Sequence, residues 1–154
     1  MKYTTFVIGL QEVPGEVSLV ISISNCPMRC LYCHTPNLRE DIGTPLTVDS
    51  LRLLLDTYRS PHSGAFLFSC VCFLGGDQHS HQLIDLLSFC KHEGLKTCLY
   101  TGHTSVSDEI RNHLDFLKVG PYIDELGALN KPTTNQRLYK LPENLDITNL
   151  FWSN

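Results

Sequence analysis

Apolar and polar positions follow two rhythms along this chain. Val17-Ser18-Leu19-Val20-Ile21-Ser22-Ile23 is rich in β-branched residues and alternates apolar with small polar side chains toward its end. It predicts a strand that runs straight into residues 24–34. Phe6 to Leu10 is a shorter apolar piece and predicts a weaker strand before it. From Thr47 the spacing changes: Val48, Leu51, Leu54, Leu55 and Tyr58 share one face of a helix of about thirteen residues that Pro61 ends. Ala65 to Leu74 is almost wholly apolar, the pattern of a strand buried on both faces, and Gly75-Gly76 breaks it. Leu83, Leu86, Leu87 and Cys90 recur at i, i+3, i+4 and i+7, predicting a second helix that stops at Gly94. Leu95 to Tyr100 predicts another strand, Ser107 to Leu114 a short helix, and Phe116 to Val119 a strand ending at Gly120-Pro121.

Strands and helices therefore alternate, and each strand gives way to a polar, glycine-bearing loop. That order belongs to a parallel α/β sheet, whose ligands gather at the strand carboxyl ends. From about residue 131 the chain reads as irregular, with Pro132 and Pro142, and a short strand is expected at Ile147 to Trp152. There is no internal repeat and no low-complexity segment. A chain of 154 residues suits one domain, spanning residues 1–154, with one real core.

Composition narrows the function. Hydrophobic residues make up 42%, ordinary for a globular protein. Twelve basic side chains stand against sixteen acidic ones, a net charge of −4, with no basic run. The positive stripe that nucleic-acid binding requires is missing. No apolar stretch reaches membrane-span length, and Met1-Lys2-Tyr3-Thr4-Thr5 lacks the layout of a secretion signal. The expectation is a cytoplasmic protein with neither nucleic acid nor membrane as partner. In a reducing compartment, seven cysteines suggest a metal or redox site rather than disulfides. Cys70, Cys72, Cys90 and Cys98 lie in apolar surroundings and read as buried. Cys70 and Cys72 share a strand face, so a second cluster is the alternative for them.

Cys26, Cys30 and Cys33 fall within eight residues, spaced C-x3-C-x2-C. Three thiolates on one loop can ligate three irons of a [4Fe–4S] cluster and leave the fourth iron open to a small molecule. Structural zinc needs four closed ligands, usually in two separated pairs, and a second pair is missing. His34 as a fourth ligand is awkward, because neighbouring side chains at 33 and 34 diverge. Three unligated thiols would be an oxidation hazard. Gly75-Gly76-Asp77 closes a strand, where glycine lets the backbone approach a ligand that a Cβ would obstruct. The plainer reading is a strand-to-helix turn with Asp77 as N-cap. Tyr100-Thr101-Gly102 in isolation is a turn. His79, His81, His92 and His113 read as surface residues.

With Tyr32 just before the third cysteine, this loop resembles the signature of the radical S-adenosylmethionine superfamily. Gly75-Gly76-Asp77 is similar to that superfamily's Gly-Gly-Glu/Asp motif, although Gln78 stands where relatives often carry proline. Tyr100-Thr101-Gly102 is similar to a motif near the nucleoside in small activating enzymes. Lys118 to Ile123 and Pro132 to Tyr139, with Asn135-Gln136-Arg137, resemble the C-terminal part of the activating enzyme of anaerobic (class III) ribonucleotide reductase. The resemblance covers roughly residues 15–140, and Thr35 departs from a common asparagine.

What the resemblance implies is specific. The fold would be a partial parallel (β/α) barrel of the small radical S-adenosylmethionine type, open on a side that admits a protein loop. Cys26, Cys30 and Cys33 would hold the [4Fe–4S] cluster. Tyr32, Cys33, His34, Gly75, Gly76, Asp77, Tyr100 and Thr101 would contact S-adenosylmethionine, with Asp77 receiving the methionine amino group. One electron from an unidentified donor would cleave the sulfonium, and the 5′-deoxyadenosyl radical would take hydrogen from a glycine of the large subunit of anaerobic ribonucleotide reductase. The C-terminal segments would face the partner or close the site. The alternatives are an activase of another glycyl-radical enzyme, a small-molecule enzyme like the carboxy-deazaguanine synthases, and a zinc-binding module.

Overall fold

The β-branched run at residues 18–23 becomes the first of four parallel strands at the centre of the molecule. The structure is a computed structural model and describes residues 1–152; residues 153 and 154, included in the single-domain reading, lie outside the described residues. The parallel strands are β2 (Ser18–Ile23), β4 (Cys70–Leu74), β5 (Lys96–Tyr100) and β6 (Phe116–Val119). They pair side by side, with Ile21 beside Phe73, Phe73 beside Leu99 and Leu99 beside Leu117. β1 (Lys2–Gly9) lies antiparallel on β2, and the two-residue β3 (Thr44–Pro45) antiparallel on β1. At the other edge β7 (Arg137–Lys140) and β8 (Leu145–Asp146) add two antiparallel strands.

The sheet is therefore mixed and open, in the order β3-β1-β2-β4-β5-β6-β7-β8, which corrects the wholly parallel expectation; the α/β class holds. The reason lies in the connections. A parallel partner needs a crossover, usually a helix, whereas an antiparallel one needs only a turn. Between β6 and β7 the chain carries only the 3-10 turn Asp124–Leu126, so it comes back antiparallel.

Helices α1 (Val48–Thr57), α2 (Ser80–His92) and the one-turn α3 (Asp108–Arg111) follow the predicted spacing. Thr47 and Ser50 start α1 with a reciprocal capping box: Ser50 N–H donates to Thr47 Oγ1 at 3.2 Å and Thr47 N–H to Ser50 Oγ at 2.7 Å. The helix runs ten residues rather than about thirteen. Arg59 leaves it to bridge Phe66 as an antiparallel pair and to donate to the Gly64 carbonyl at 3.0 Å. That hairpin also removes residues 65–69 from the expected strand, which begins only at Cys70; Leu67 is 58% exposed.

Leu51, Leu55, Leu83, Leu87 and Cys90 pack from the helices onto Phe73, Leu99 and Leu117 of the sheet. The opposite face carries Val20, Cys70, Cys72, Cys98, Phe116 and Leu138, covered by Val13 and Ile147. Two covered faces explain why the central strands are apolar throughout. Cys70 and Cys72 do share that face, and Cys98 sits beside Cys72 in register. Burial pushes the Cys90 thiol up to about 12 and raises Cys70 and Cys98 as well.

The tail is more ordered than expected, and Thr148–Phe151 is a 3-10 turn instead of a strand. Asp146 Oδ1 accepts from the Thr148 N–H at 2.9 Å and from its hydroxyl at 2.5 Å, while that hydroxyl accepts from the Leu138 N–H at 2.9 Å. These bonds pull the chain into a turn. Among the described residues no helix is long and apolar enough to cross a membrane.

Candidate cluster and cofactor site

Four strand ends and one strand start meet at the same end of the sheet. β2 runs into the cysteine loop, β4 into Gly75-Gly76-Asp77, β5 into Thr101-Gly102-His103 and β6 into Gly120-Pro121-Tyr122; β7 begins after Asn135-Gln136. Together they enclose a cavity of about 370 Å³ that Cys26, Cys30, Cys33, Asp77, Thr101 and Lys118 all line. The three loop cysteines are free and half-buried, whereas Cys70, Cys72, Cys90 and Cys98 are fully buried. Burial raises the Cys26 thiol above its ordinary value, against a hydrogen bond with the Met28 backbone that lowers it. Among the described residues no three His, Cys, Asp or Glu side chains gather around one metal ion. Each thiolate of a cubic cluster takes a different iron, so three such sulfurs need not meet at a point.

The loop is shaped from its flanks. Asn25 and Tyr32 adopt left-handed backbone conformations, with φ of 61° and 58°. The Asn25 N–H donates to the Glu40 carbonyl at 2.9 Å and the Cys26 N–H to the Leu38 carbonyl at 2.8 Å. Arg39 Nη2 donates to the Cys30 carbonyl at 2.6 Å. Gln78, the residue in place of the relatives' proline, donates from Nε2 to the Asn25 carbonyl at 2.9 Å and ties the glycine turn to the loop's start. Thr35 precedes the 3-10 turn Pro36–Arg39 without a side-chain cap, so the departure at 35 leaves the loop's exit intact.

Asp77 points into the cavity rather than capping a helix. Its Oδ2 accepts from the Thr101 hydroxyl at 2.8 Å and lies 3.8 Å from His103 Nε2, with only 12% of the side chain exposed. Thr101 Oγ1 in turn accepts from the His103 N–H at 3.0 Å. Gly75 and Gly76 have φ of 89° and 109°. A Cβ at Gly76 would fall 2.9 Å from Met1 Sδ, and one at Gly75 would meet only Ile23 at 3.8 Å. The glycines are thus required by their backbone conformation and, at 76, by Met1; Gly75 also lines the cavity, where a Cβ would stand in open space. Close approach matters instead at Gly102, where a Cβ would sit 2.8 Å from Met28 Cγ as the cysteine loop crosses the end of β5.

Lys118 is the group that sequence reasoning left without a role. Its Nζ donates to the Gly120 carbonyl at 2.7 Å and lies 5.9 Å from the Tyr100 ring centroid. Burial lowers its pKa to about 8. A lysine inside the apolar strand Phe116-Leu117-Lys118-Val119 was the available signal. Arg39 and His103, both on the cavity wall, were also missed and had no comparable signal, whereas Gln136 reaches the wall from the Asn135-Gln136-Arg137 motif that the sequence singles out.

The remaining predicted contacts divide. Tyr100 lines the cavity, but its hydroxyl is engaged by the Glu12 carbonyl and holds the 10–16 loop. His34 lines the cavity with its ring edge-on to Tyr122, centroids 5.0 Å apart at 81°. Tyr32 is 67% exposed and is not brought to the cavity wall. Asn135 Nδ2 donates to the Pro121 carbonyl at 2.9 Å, and Arg137 Nη1 donates to the Thr134 and Gln136 carbonyls at 2.6 and 2.7 Å. Asn135 and Arg137 therefore brace the wall to which the 6%-exposed Gln136 contributes.

No protein-family model matches the chain. It is similar to a pyruvate formate-lyase-activating enzyme of Clostridium pasteurianum, with 31% identity over 117 residues, 71% of this chain and 47% of that protein. The chain thus spans about half the length of the curated relative it matches.

Proposed function

We propose that this chain is an activating enzyme that holds a [4Fe–4S] cluster through Cys26, Cys30 and Cys33, binds S-adenosylmethionine beside it, and generates a glycyl radical on the large subunit of anaerobic ribonucleotide reductase. The carrying observation is that three accessible thiols, one carboxylate and one buried ammonium line a single cavity at the carboxyl end of the sheet. The donor set fits the two groups. Three thiolates and no fourth cysteine in the cavity match a cluster with one iron left for a ligand. Asp77 and Lys118 supply opposite charges for the ammonium and carboxylate of an amino-acid moiety. Together the two groups supply one-electron cleavage of a carbon–sulfur bond and, after it, hydrogen abstraction from carbon.

The chain's own residues bind and orient. Asp77, fixed by the Thr101 hydroxyl, presents a carboxylate that accepts from an ammonium without first having to be ordered. Lys118 is anchored on the Gly120 carbonyl with the rest of its ammonium free to donate. His34 and Tyr122 join the cysteine loop to the end of β6 and narrow the way in for water. The choice of reductase rests on the resemblance of the 118–123 and 132–139 segments, which wall and brace the far end of the cavity. A second reading, activation of pyruvate formate-lyase, is favoured by the relative's name.

The test is anaerobic reconstitution with iron and sulfide, followed by mixing with reductant, S-adenosylmethionine and each candidate target in turn. Electron paramagnetic resonance should reveal a glycyl doublet on the reductase that vanishes when its radical-bearing glycine is replaced. A doublet on pyruvate formate-lyase alone would transfer the assignment to the second reading. Zinc in place of iron in the purified protein would remove both.

A further inference from the structure

We propose that Gln136 reads the adenine of S-adenosylmethionine, accepting from its 6-amino group and donating to a neighbouring ring nitrogen; this deepens the cofactor assignment made above and rests on it. Gln136 is 6% exposed and lines the cavity. Its direction follows from the sheet. Lys118 pairs with Leu138 and Val119 with Arg137, so the residue before Arg137 comes to stand against Gly120. A Cβ at Gly120 would fall 3.3 Å from the Gln136 Cα, in agreement with that placement. Residues two apart share a face, so Gln136 projects on the side of Leu138 and Lys118, away from the helices that cover Leu117.

The backbone of Gln136 is fully engaged. Its N–H donates to Thr134 Oγ1 at 3.2 Å, and its carbonyl accepts from Arg137 Nη1 at 2.7 Å. The side-chain amide is different: none of the described residues hydrogen-bonds it, and it is not sealed from the cavity. A polar group in so enclosed a place takes its partner from water or from a ligand. An amide held on a fixed backbone also loses little further freedom on binding. It offers a donor and an acceptor side by side, the pattern that pairs bidentately with the 6-amino group and ring nitrogen of adenine. Asp77, Thr101, Lys118 and Gln136 follow one another along the ends of β4, β5 and β6 and the start of β7. With the amino-acid moiety on Asp77 and Lys118, the next polar position along that edge is Gln136. Tyr122, Ala128 and Leu129, from the connection between β6 and β7, line the same cavity and offer apolar surface to a planar base.

The experiment is equilibrium titration of the cluster-loaded full chain without reductant, so that the cofactor binds and is not cleaved. The probes are S-adenosylmethionine, its analogue with hydrogen in place of the adenine 6-amino group, and its 2′-deoxyribose analogue. Wild type should bind S-adenosylmethionine roughly 10- to 100-fold more tightly than the analogue without the amino group. Gln136→Leu should lose affinity for S-adenosylmethionine by a similar factor and bind those two ligands alike. Gln136→Glu keeps an acceptor for the amino group and should retain a preference at reduced affinity. Equal binding of the two ligands by wild type would overturn the proposal, and that comparison needs no variant to fold. So would a Gln136→Leu protein with native circular dichroism and the full wild-type preference, since the side chain would then only fill the wall. Loss of the preference for ribose over 2′-deoxyribose, with that for the amino group intact, would also overturn it and give the amide to the sugar. An iron-loaded wild type that binds none of the three would instead refute the cofactor assignment itself.

Discussion

Asp77 and Lys118 carry the charge logic of the cavity, and each makes a separate prediction. Asp77 is held by Thr101 and is almost enclosed. Removing a charge-assisted partner costs about 1.5–3 kcal/mol, so Asp77→Ala should weaken S-adenosylmethionine binding by roughly 10- to 100-fold. Equilibrium titration of the cluster-loaded protein measures it, and unchanged affinity would count against the carboxylate's role. Lys118 keeps its proton only to about pH 8, whereas the unfolded chain keeps it to above pH 10. Between those values the unfolded state binds one more proton, so this lysine's contribution to stability rises with pH across that window, by about 3 kcal/mol at most. Urea unfolding of the cluster-free protein between pH 7.5 and 10 should show the stability of wild type gaining on that of Lys118→Met. Parallel curves would mean that the ammonium is not desolvated. The three clustered cysteines were legible because metal ligation dictates spacing along the chain. Lys118 and His103 were not, because they meet the thiols only through strand order, which local sequence does not encode; Arg39 reaches the Cys30 carbonyl through the folding of the loop itself, which its spacing does not announce.

At the scale of elements, what could be read and what could not divide along the same line. The faces of α1 and α2 and the bounds of β6 follow from side-chain periodicity, which is local. The length of α1, the late start of β4 and the turn at Thr148 depend on Arg59 reaching Phe66 and on Thr148 reaching Leu138, which no window of sequence reveals. The glycine turn after β4 has a second demand on its residues besides the one read from the sequence, because its backbone calls for glycine whatever binds beside it. With φ of 109° at Gly76 and Met1 Sδ 2.9 Å from where a methyl group would stand, Gly76→Ala should destabilise the fold by about 1–3 kcal/mol. Chemical denaturation measures it. Met1→Ala in the same chain should recover only the steric part, because the left-handed backbone remains strained. Full recovery in the double variant would show that crowding by Met1, and not φ, is what demands glycine.

At the scale of the whole molecule, the half-buried cysteines all lie at one end of the sheet. Helices cover one face of the sheet, and Val13 with Ile147 covers Cys70, Cys72 and Cys98 on the other. Seven chemically identical thiols are thereby sorted into three that line the cavity and four with no route to solvent short of unfolding. Thiolate is the reactive form, and burial holds Cys70, Cys90 and Cys98 in the thiol form besides hiding them. In the folded, cluster-free chain under anaerobic conditions, iodoacetamide at pH 8 should therefore label Cys26, Cys30 and Cys33 and spare the other four. Cys26 should react sluggishly, since burial raises its pKa. Denaturant should bring all seven into reach, and loading the cluster beforehand should protect the first three alone. Peptide mass spectrometry resolves each site. Rapid labelling of Cys72 or Cys98 in the native protein would mean that the covered face opens, and a substrate loop could then enter from beneath the sheet. The expected pattern would leave the rim where the cysteine loop, His34 and Tyr122 meet as the approach to the three thiols for the cofactor and partner proposed above.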